Sequence, residues 1–236
     1  MPGIVSIVFI SWAAGLAAVL GAVLARLDRG RDTDAKDQLI HGVVAFGGGI
    51  LLAAVSFALV PEGFAALEPA PLVVAFCVGG LSFGWLDSVL DRRGGGPAQL
   101  VAMVMDFVPE ALSLCAVFAQ SRSLGILLAS FIGAQNLPEG FNAYRELGAL
   151  GVRPRVALMT LLGASLLGPL ATMAGHLFLR DQREISAGIM VFAAGGILYL
   201  VFQDIAPKAK MSHRASPALG AVLGFALGML GKSLLG

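Results

Sequence analysis

Long, uniformly apolar stretches alternate with short polar ones along this chain. No charged side chain occurs in residues 1–25, 42–61, 69–86, 123–138, 156–179, 185–203 or 215–231. A bilayer-spanning helix needs about 20 predominantly apolar residues. The pattern predicts eight helices, near 4–25, 42–64, 71–90, 98–119, 124–144, 156–179, 185–207 and 217–231. The stretches are too long and too evenly apolar for strands, whose two faces would alternate. A lipid-exposed backbone must also close its own hydrogen bonds, which favours helices. The first stretch lacks the basic n-region of a signal peptide and is kept as a span. The expectation is an all-α integral membrane protein with a single transmembrane domain over residues 1–236.

Composition sharpens this. Hydrophobic residues make up 57% of the chain and charged ones 13%, against about 25% charged in a soluble domain. That excludes a secreted disulfide scaffold, a nucleic-acid binder and an ordinary cytosolic enzyme. The net charge of +1 argues against a strongly charged partner. Cys77 and Cys115 lie inside apolar stretches without CxxC spacing, so they are expected to be small buried hydrophobes.

The connections are short. The longest, roughly 26–41, is an Arg/Asp mixture expected to be a solvated linker, and Arg92 to Pro97 is expected to be a flexible turn. Loops after spans 1, 3, 5 and 7 hold Arg26, Arg29, Arg31, Lys36, Arg92, Arg93, Arg145, Arg153, Arg155, Lys208, Lys210 and Arg214. The opposite side holds only Arg122, Arg180, Arg183 and Lys232. By the positive-inside rule the richer side is cytoplasmic, which puts both termini outside an inner or plasma membrane.

All 16 Lys and Arg residues fall outside the spans, whereas Glu62, Asp87, Asp106, Glu110, Glu139 and Asp204 fall inside them. A charge at a helix centre costs about 2.5–3.5 kcal/mol on insertion scales, and such residues usually mark ion paths. With no base inside the spans to pair with them, the partners left are protons, water or a bound cation. An anion path is improbable.

Three of the acids follow proline: Pro61-Glu62, Pro109-Glu110 and Pro138-Glu139. Proline lacks an N–H and clashes with the carbonyl four residues back. Pro109 and Pro138 are therefore expected to free the carbonyls of Met105 and Ala134 and break their helices beside a carboxylate, as in transporter ion sites. Spans 4 and 5 also match each other. Asp106, Pro109, Glu110 and Ser113 recur 29 residues later as Gln135, Pro138, Glu139 and Asn142. The polar members sit at i, i+4 and i+7, on one helix face. Two antiparallel helices can turn these stripes toward each other. The ligand candidates are Asp106, Glu110, Gln135, Asn136 and Glu139, helped by Ser113 and Asn142, all hard oxygens.

Other polar residues read more plainly. A lone kink with a protonated carboxyl is the structural alternative for Glu62. Asp87 and Asp204 lie near span ends and are placed equally well as helix-end residues reaching water. His41, His176 and His213 are expected to be solvated or hydrogen-bonded. Gly220-x-x-x-Gly224-x-x-x-Gly228 and Gly80-x-x-x-Gly84 allow close helix approach, more often inside a bundle than across a homodimer seam.

At these residues the chain resembles the ZIP (zinc/iron-regulated transporter-like) family of metal transporters, over nearly its whole length. Asp106-Phe107-Val108-Pro109-Glu110-Ala111 stands where span 4 of that family carries His-Asn-x-Pro-Glu-Gly. Gln135-Asn136-Leu137-Pro138-Glu139-Gly140 matches a second Pro-Glu-Gly motif in span 5. Ala58 to Glu62 in span 2, and Gly195 to Pro207 in span 7, are similar to their counterparts. The resemblance implies eight helices in a 3+2+3 arrangement, with spans 1–3 and 6–8 related by inversion. The echo of Gly48-Gly49-Ile50-Leu51 in Gly195-Gly196-Ile197-Leu198 fits that inversion. The departures are Asp106 and Phe107 for the family's His-Asn, Gly168 where many members place a span-6 glutamate of a two-metal centre, and no His-rich loop between spans 3 and 4.

The resulting expectation is a divalent metal transporter carrying zinc, manganese, iron or cadmium as substrate, with no cofactor. A single-metal oxygen site lies between spans 4 and 5, and Glu62 and Asp204 line the outer and inner ends of the path. A sensory or transport-inactive relative is the alternative. An intramembrane metallohydrolase would need an HExxH-like set, which the three scattered histidines do not supply.

Overall fold

The computed structural model describes residues 3–28, 34–92, 97–179, 182–209 and 216–235. Its α-helices are α1 (Ile4–Leu27), α2 (Asp34–Ala54), α3 (Val60–Ala66), α4 (Pro69–Arg92), α5 (Ala98–Gln120), α6 (Arg122–Ala149), α7 (Pro154–Ser165), α8 (Leu167–Phe178), α9 (Arg183–Leu200), α10 (Ala206–Ala209) and α11 (Ser216–Leu235). No strand occurs among the described residues. Among the described residues, six helical runs are long and apolar enough to cross a membrane. Beyond these six stand α6, whose polar stripe lowers its hydropathy, and α11, counted as an apolar helix over Ala218–Leu234. The outer surface suits lipid, since Phe9, Val74, Leu81, Trp85, Leu177 and Leu223 are all exposed. The chain is an all-helical multi-pass membrane protein.

Several expectations are corrected. The 26–41 segment is not one solvated linker, because α2 begins at Asp34; Arg29 and Arg31 lie outside the described residues. Residues 34–38, Asp-Ala-Lys-Asp-Gln, are mostly polar but contain no helix breaker, so the helix of span 2 extends into them. Cys77 is exposed on α4, while Cys115 is buried. An apolar stretch in lipid has an outward face too, so lying in one does not bury a cysteine. Arg93, Gly94–Gly96, Arg180, Lys210, His213 and Arg214 lie outside the described residues.

The prolines act elsewhere than expected. Helices α5 and α6 continue through Pro109 and Pro138 without interruption. Spans 2 and 7 widen instead into π-helical turns, Val55–Leu59 and Val201–Ile205, just before Pro61 and Pro207. One extra residue in the turn relieves the clash of the proline ring with the preceding carbonyl. Span 6 is likewise interrupted, at Leu166 between α7 and α8, three residues before Pro169.

Two helix pairs are built alike. A Cβ on Gly49 would strike the carbonyl of Ala221 in α11, and one on Gly224 would strike that of Phe46 in α2. In the other pair, a Cβ on Gly195 would strike the Phe76 carbonyl in α4, and one on Gly79 that of Phe192 in α9. Contact positions rise together along each pair, from Gly42 with Gly220 through Phe46 with Gly224 to Ala53 with Gly228, and from Gly79 with Phe192 to Gly84 with Tyr199, so the partners run parallel. The two halves share a constant offset of 146 (Gly49 to Gly195, Val55–Leu59 to Val201–Ile205, Pro61 to Pro207). The sequence echo, starting at Gly48, is thus one residue out of structural register. Gly48 faces Ile205 and Gly196 faces Phe83 instead. The glycine patterns of α4 and α11 are spent on this internal packing.

The second layer holds α1, α5, α6, α7 and α8. Gly140 of α6 presses on the backbone of Ala18, and Gly21 of α1 on that of Leu137. Gly175 of α8 presses on Leu112 of α5, where Thr172 Oγ1 also donates to the Ala111 carbonyl at 3.0 Å. The α5–α6 hairpin turns on Ser121 alone, whose hydroxyl caps α6 by accepting from Leu124 N at 3.3 Å. At its other end Glu146 Oε2 accepts from Gln99 N at 2.8 Å, satisfying a free donor at the α5 N-terminus.

Candidate metal site

The α5 and α6 stripes meet inside the bundle. Asp106 is 2% exposed, and Glu110, Ser113 and Gln135 are fully buried. Glu139 and Asn142, further along α6, are half-buried. Gln135 Nε2 donates to Glu110 Oε2 at 2.8 Å, joining the two stripes directly. The Asp106 and Glu139 carboxyls interact across the same interface. Asp106 Oδ1 also accepts from Phe107 N at 2.7 Å.

Several oxygens in this cluster have no partner. Glu110 Oε1, Gln135 Oε1, Glu139 Oε2 and Ser113 Oγ are buried without a hydrogen bond. Burying a polar atom unpaired costs about 1–3 kcal/mol on mutational data, and more for a charge. Acceptors gathered at this cost suit a cation. A hard divalent ion takes oxygen ligands of this kind.

The acids are not arranged as a finished ligand set. Among the described residues, no three His, Cys, Asp or Glu side chains converge as a metal-holding group. Asp106 is turned to a backbone N–H and Glu110 to Gln135. The terminal torsions of these side chains are soft.

The other expected residues divide. Asn136 is 1% exposed; its Nδ2 donates to the Ala14 carbonyl of α1 at 3.0 Å, tethering α6 to α1, while its Oδ1 is buried without a hydrogen bond. Glu62 is buried in the first turn of α3, away from the α5–α6 cluster in sequence and element. Asp204 belongs to the second π turn, and its side chain lies outside the described residues. Asp87 is no free helix-end residue, since its Oδ2 accepts from Tyr199 OH of α9 at 2.9 Å.

The sequence reading did not single out Ser11 of α1. Ser11 is 1% exposed with its hydroxyl unpartnered. Its signal was a hydroxyl within an otherwise apolar span.

Fold and site together define a multi-pass membrane protein with a buried oxygen cluster between two antiparallel helices. No family model matches the chain. A protein of Arabidopsis thaliana named "Putative zinc transporter" is 29% identical over 186 residues, covering 72% of this chain and 29% of that protein. This chain therefore spans less than a third of that relative's length.

Proposed function

We propose that the chain is a divalent metal cation transporter of the ZIP type, with metal as substrate rather than cofactor. The observation that carries this reading is the set of partnerless buried oxygens on α5 and α6, in spans with no internal base. Glu110 and Glu139 are the principal ligands, with Asp106 and Gln135 completing the shell and Ser113 beside it. Named similarity to a zinc transporter supports metal as the cargo class.

The same reading has eight crossings in a 3+2+3 arrangement. The two parallel pairs α2–α11 and α9–α4, at a constant offset of 146, support an inverted repeat around α5 and α6. Both termini then lie outside, opposite the base-rich loops. Glu62 stands toward the outer end of the path and Asp204 toward the inner one. No step of this reading needs enzymatic chemistry.

The test is metal content and uptake of the purified protein in liposomes, with E110Q and E139Q. Each substitution removes a ligand charge while keeping the shape. Each is expected to weaken binding by about tenfold or more, equivalent to about 1.4 kcal/mol, and to reduce uptake in parallel. Unchanged binding and uptake in both would overturn the assignment. One observation favours a second reading, a metal sensor that has lost transport: the carboxylates are engaged with donors rather than converged. Metal binding without uptake in the natural protein would decide for it.

A further inference from the structure

We propose that Phe107 holds the α5–α6 site to one divalent cation by filling the neighbouring niche in which a second ion would need ligands. This rests on the reading of that site as a metal site.

Phe107 follows Asp106 and lies about 60° round the helix from Glu110, at about 100° per residue. It therefore flanks the polar stripe. Its side chain is 1% exposed. The tip of the ring reaches the point where α1, α5 and α8 meet. A Cβ on Gly15 of α1 would lie 2.9 Å from its Cζ, and one on Gly168 of α8 would lie 2.5 Å from it. Two glycines on different helices thus leave room for one ring, and a side chain at either position would collide with it.

Phe107 packs in the apolar core, but polar atoms stand near its ring. The position of a Gly168 Cβ is 2.8 Å from Ser11 Oγ, and that hydroxyl is buried without a partner. The position of a Gly15 Cβ is 2.9 Å from the Ser165 carbonyl. Two oxygens therefore stand at the edge of a volume that the phenyl ring occupies. A ring offers a divalent ion no oxygen to replace its water. The ring, one residue beyond Asp106 and one turn before Glu110, occupies that volume and leaves Ser11 unused.

A carboxylate at 168 would enter this niche only if the ring left it. G168E alone should therefore destabilise the protein, and F107S should relieve the strain in F107S/G168E. The experiment is equilibrium dialysis of the purified full-length protein against manganese and zinc, with metal counted per chain, beside thermal unfolding. The natural protein should hold one ion and F107S/G168E two. Thermal unfolding should rank G168E below both the natural protein and the double variant. F107N/G168S, with a shorter oxygen donor at 168, carries the same comparison should F107S/G168E not fold. Two ions in the natural protein, or one in a folded double variant, would overturn the role of Phe107. No ion in the natural protein would overturn the functional reading itself.

Discussion

At the scale of single residues, Asp106 sets the character of the site. Imidazole suits zinc and other later transition metals, whereas carboxylate and carbonyl oxygens suit harder ions. Asp106 is 2% exposed and meets Glu139 across the helix interface, so its chemistry is felt by the cluster and screened little by water. Zinc still binds oxygen sites more tightly than manganese does, by the divalent affinity order. The margin between them should be small here. D106H is expected to raise zinc and cadmium affinity relative to manganese by about tenfold, equivalent to about 1.4 kcal/mol. Competition binding of the four combinations checks this. A natural protein that already prefers zinc as strongly as D106H would defeat the ligand-hardness argument. The polar stripe was legible in the sequence because spacing of i, i+4 and i+7 fixes a helix face whatever surrounds it. The fate of Asn136 was not legible. Its neighbour in space, the Ala14 carbonyl, is 122 residues away in sequence.

At the scale of elements, close packing of glycine on backbone holds the bundle together. Lipid tails are as apolar as leucine, so association of helices in a membrane depends on contact and not on hydrophobic transfer. Gly49 and Gly195 occupy matching places in two pairs, each against a partner's carbonyl. G49V and G195V should each push a helix pair apart and destabilise the protein by about 1–3 kcal/mol, the usual cost of overpacking. G188A is the control, since nothing lies within 4 Å of a Cβ there. It should be neutral or slightly stabilising, as alanine is the better helix former. Thermal unfolding in detergent ranks the three. Equal effects at positions 49, 195 and 188 would show that these glycines do not set the approach. The helices themselves could be read from apolar length, but the effect of each proline could not. Pro109 and Pro138 sit inside unbroken helices, while widened turns precede Pro61 and Pro207. Whether a helix bends, widens or absorbs a proline depends on what its neighbours supply to the freed carbonyl. That information is tertiary.

At the scale of the whole molecule, the number of crossings decides which end of the site opens to which compartment. Glu68, in the connection between α3 and α4, and Arg153, between α6 and α7, are both exposed. Between them run α4, α5 and α6. In the proposed topology all three cross, which puts the two positions on opposite faces of the membrane. The contact at Arg145 agrees, because its Nη1 reaches Asp28 Oδ2 at 4.0 Å and so brings the ends of α1 and α6 to one face. That pair is partly solvated and contributes little stability, but it fixes the parallel sense of the two helices. In the proposed orientation, drawn from loop charge, the Arg153 face is cytoplasmic. In a chain with Cys77 and Cys115 replaced by alanine, E68C should react with an impermeant maleimide added to whole cells. R153C should react only after permeabilisation. E62C should react more slowly than E68C, since Glu62 is only 8% exposed. Labelling of positions 68 and 153 from the same side would mean that one of the three helices does not cross. The inverted pairs would then not lie on opposite sides of the α5–α6 site, and a path through it from one compartment to the other would be lost.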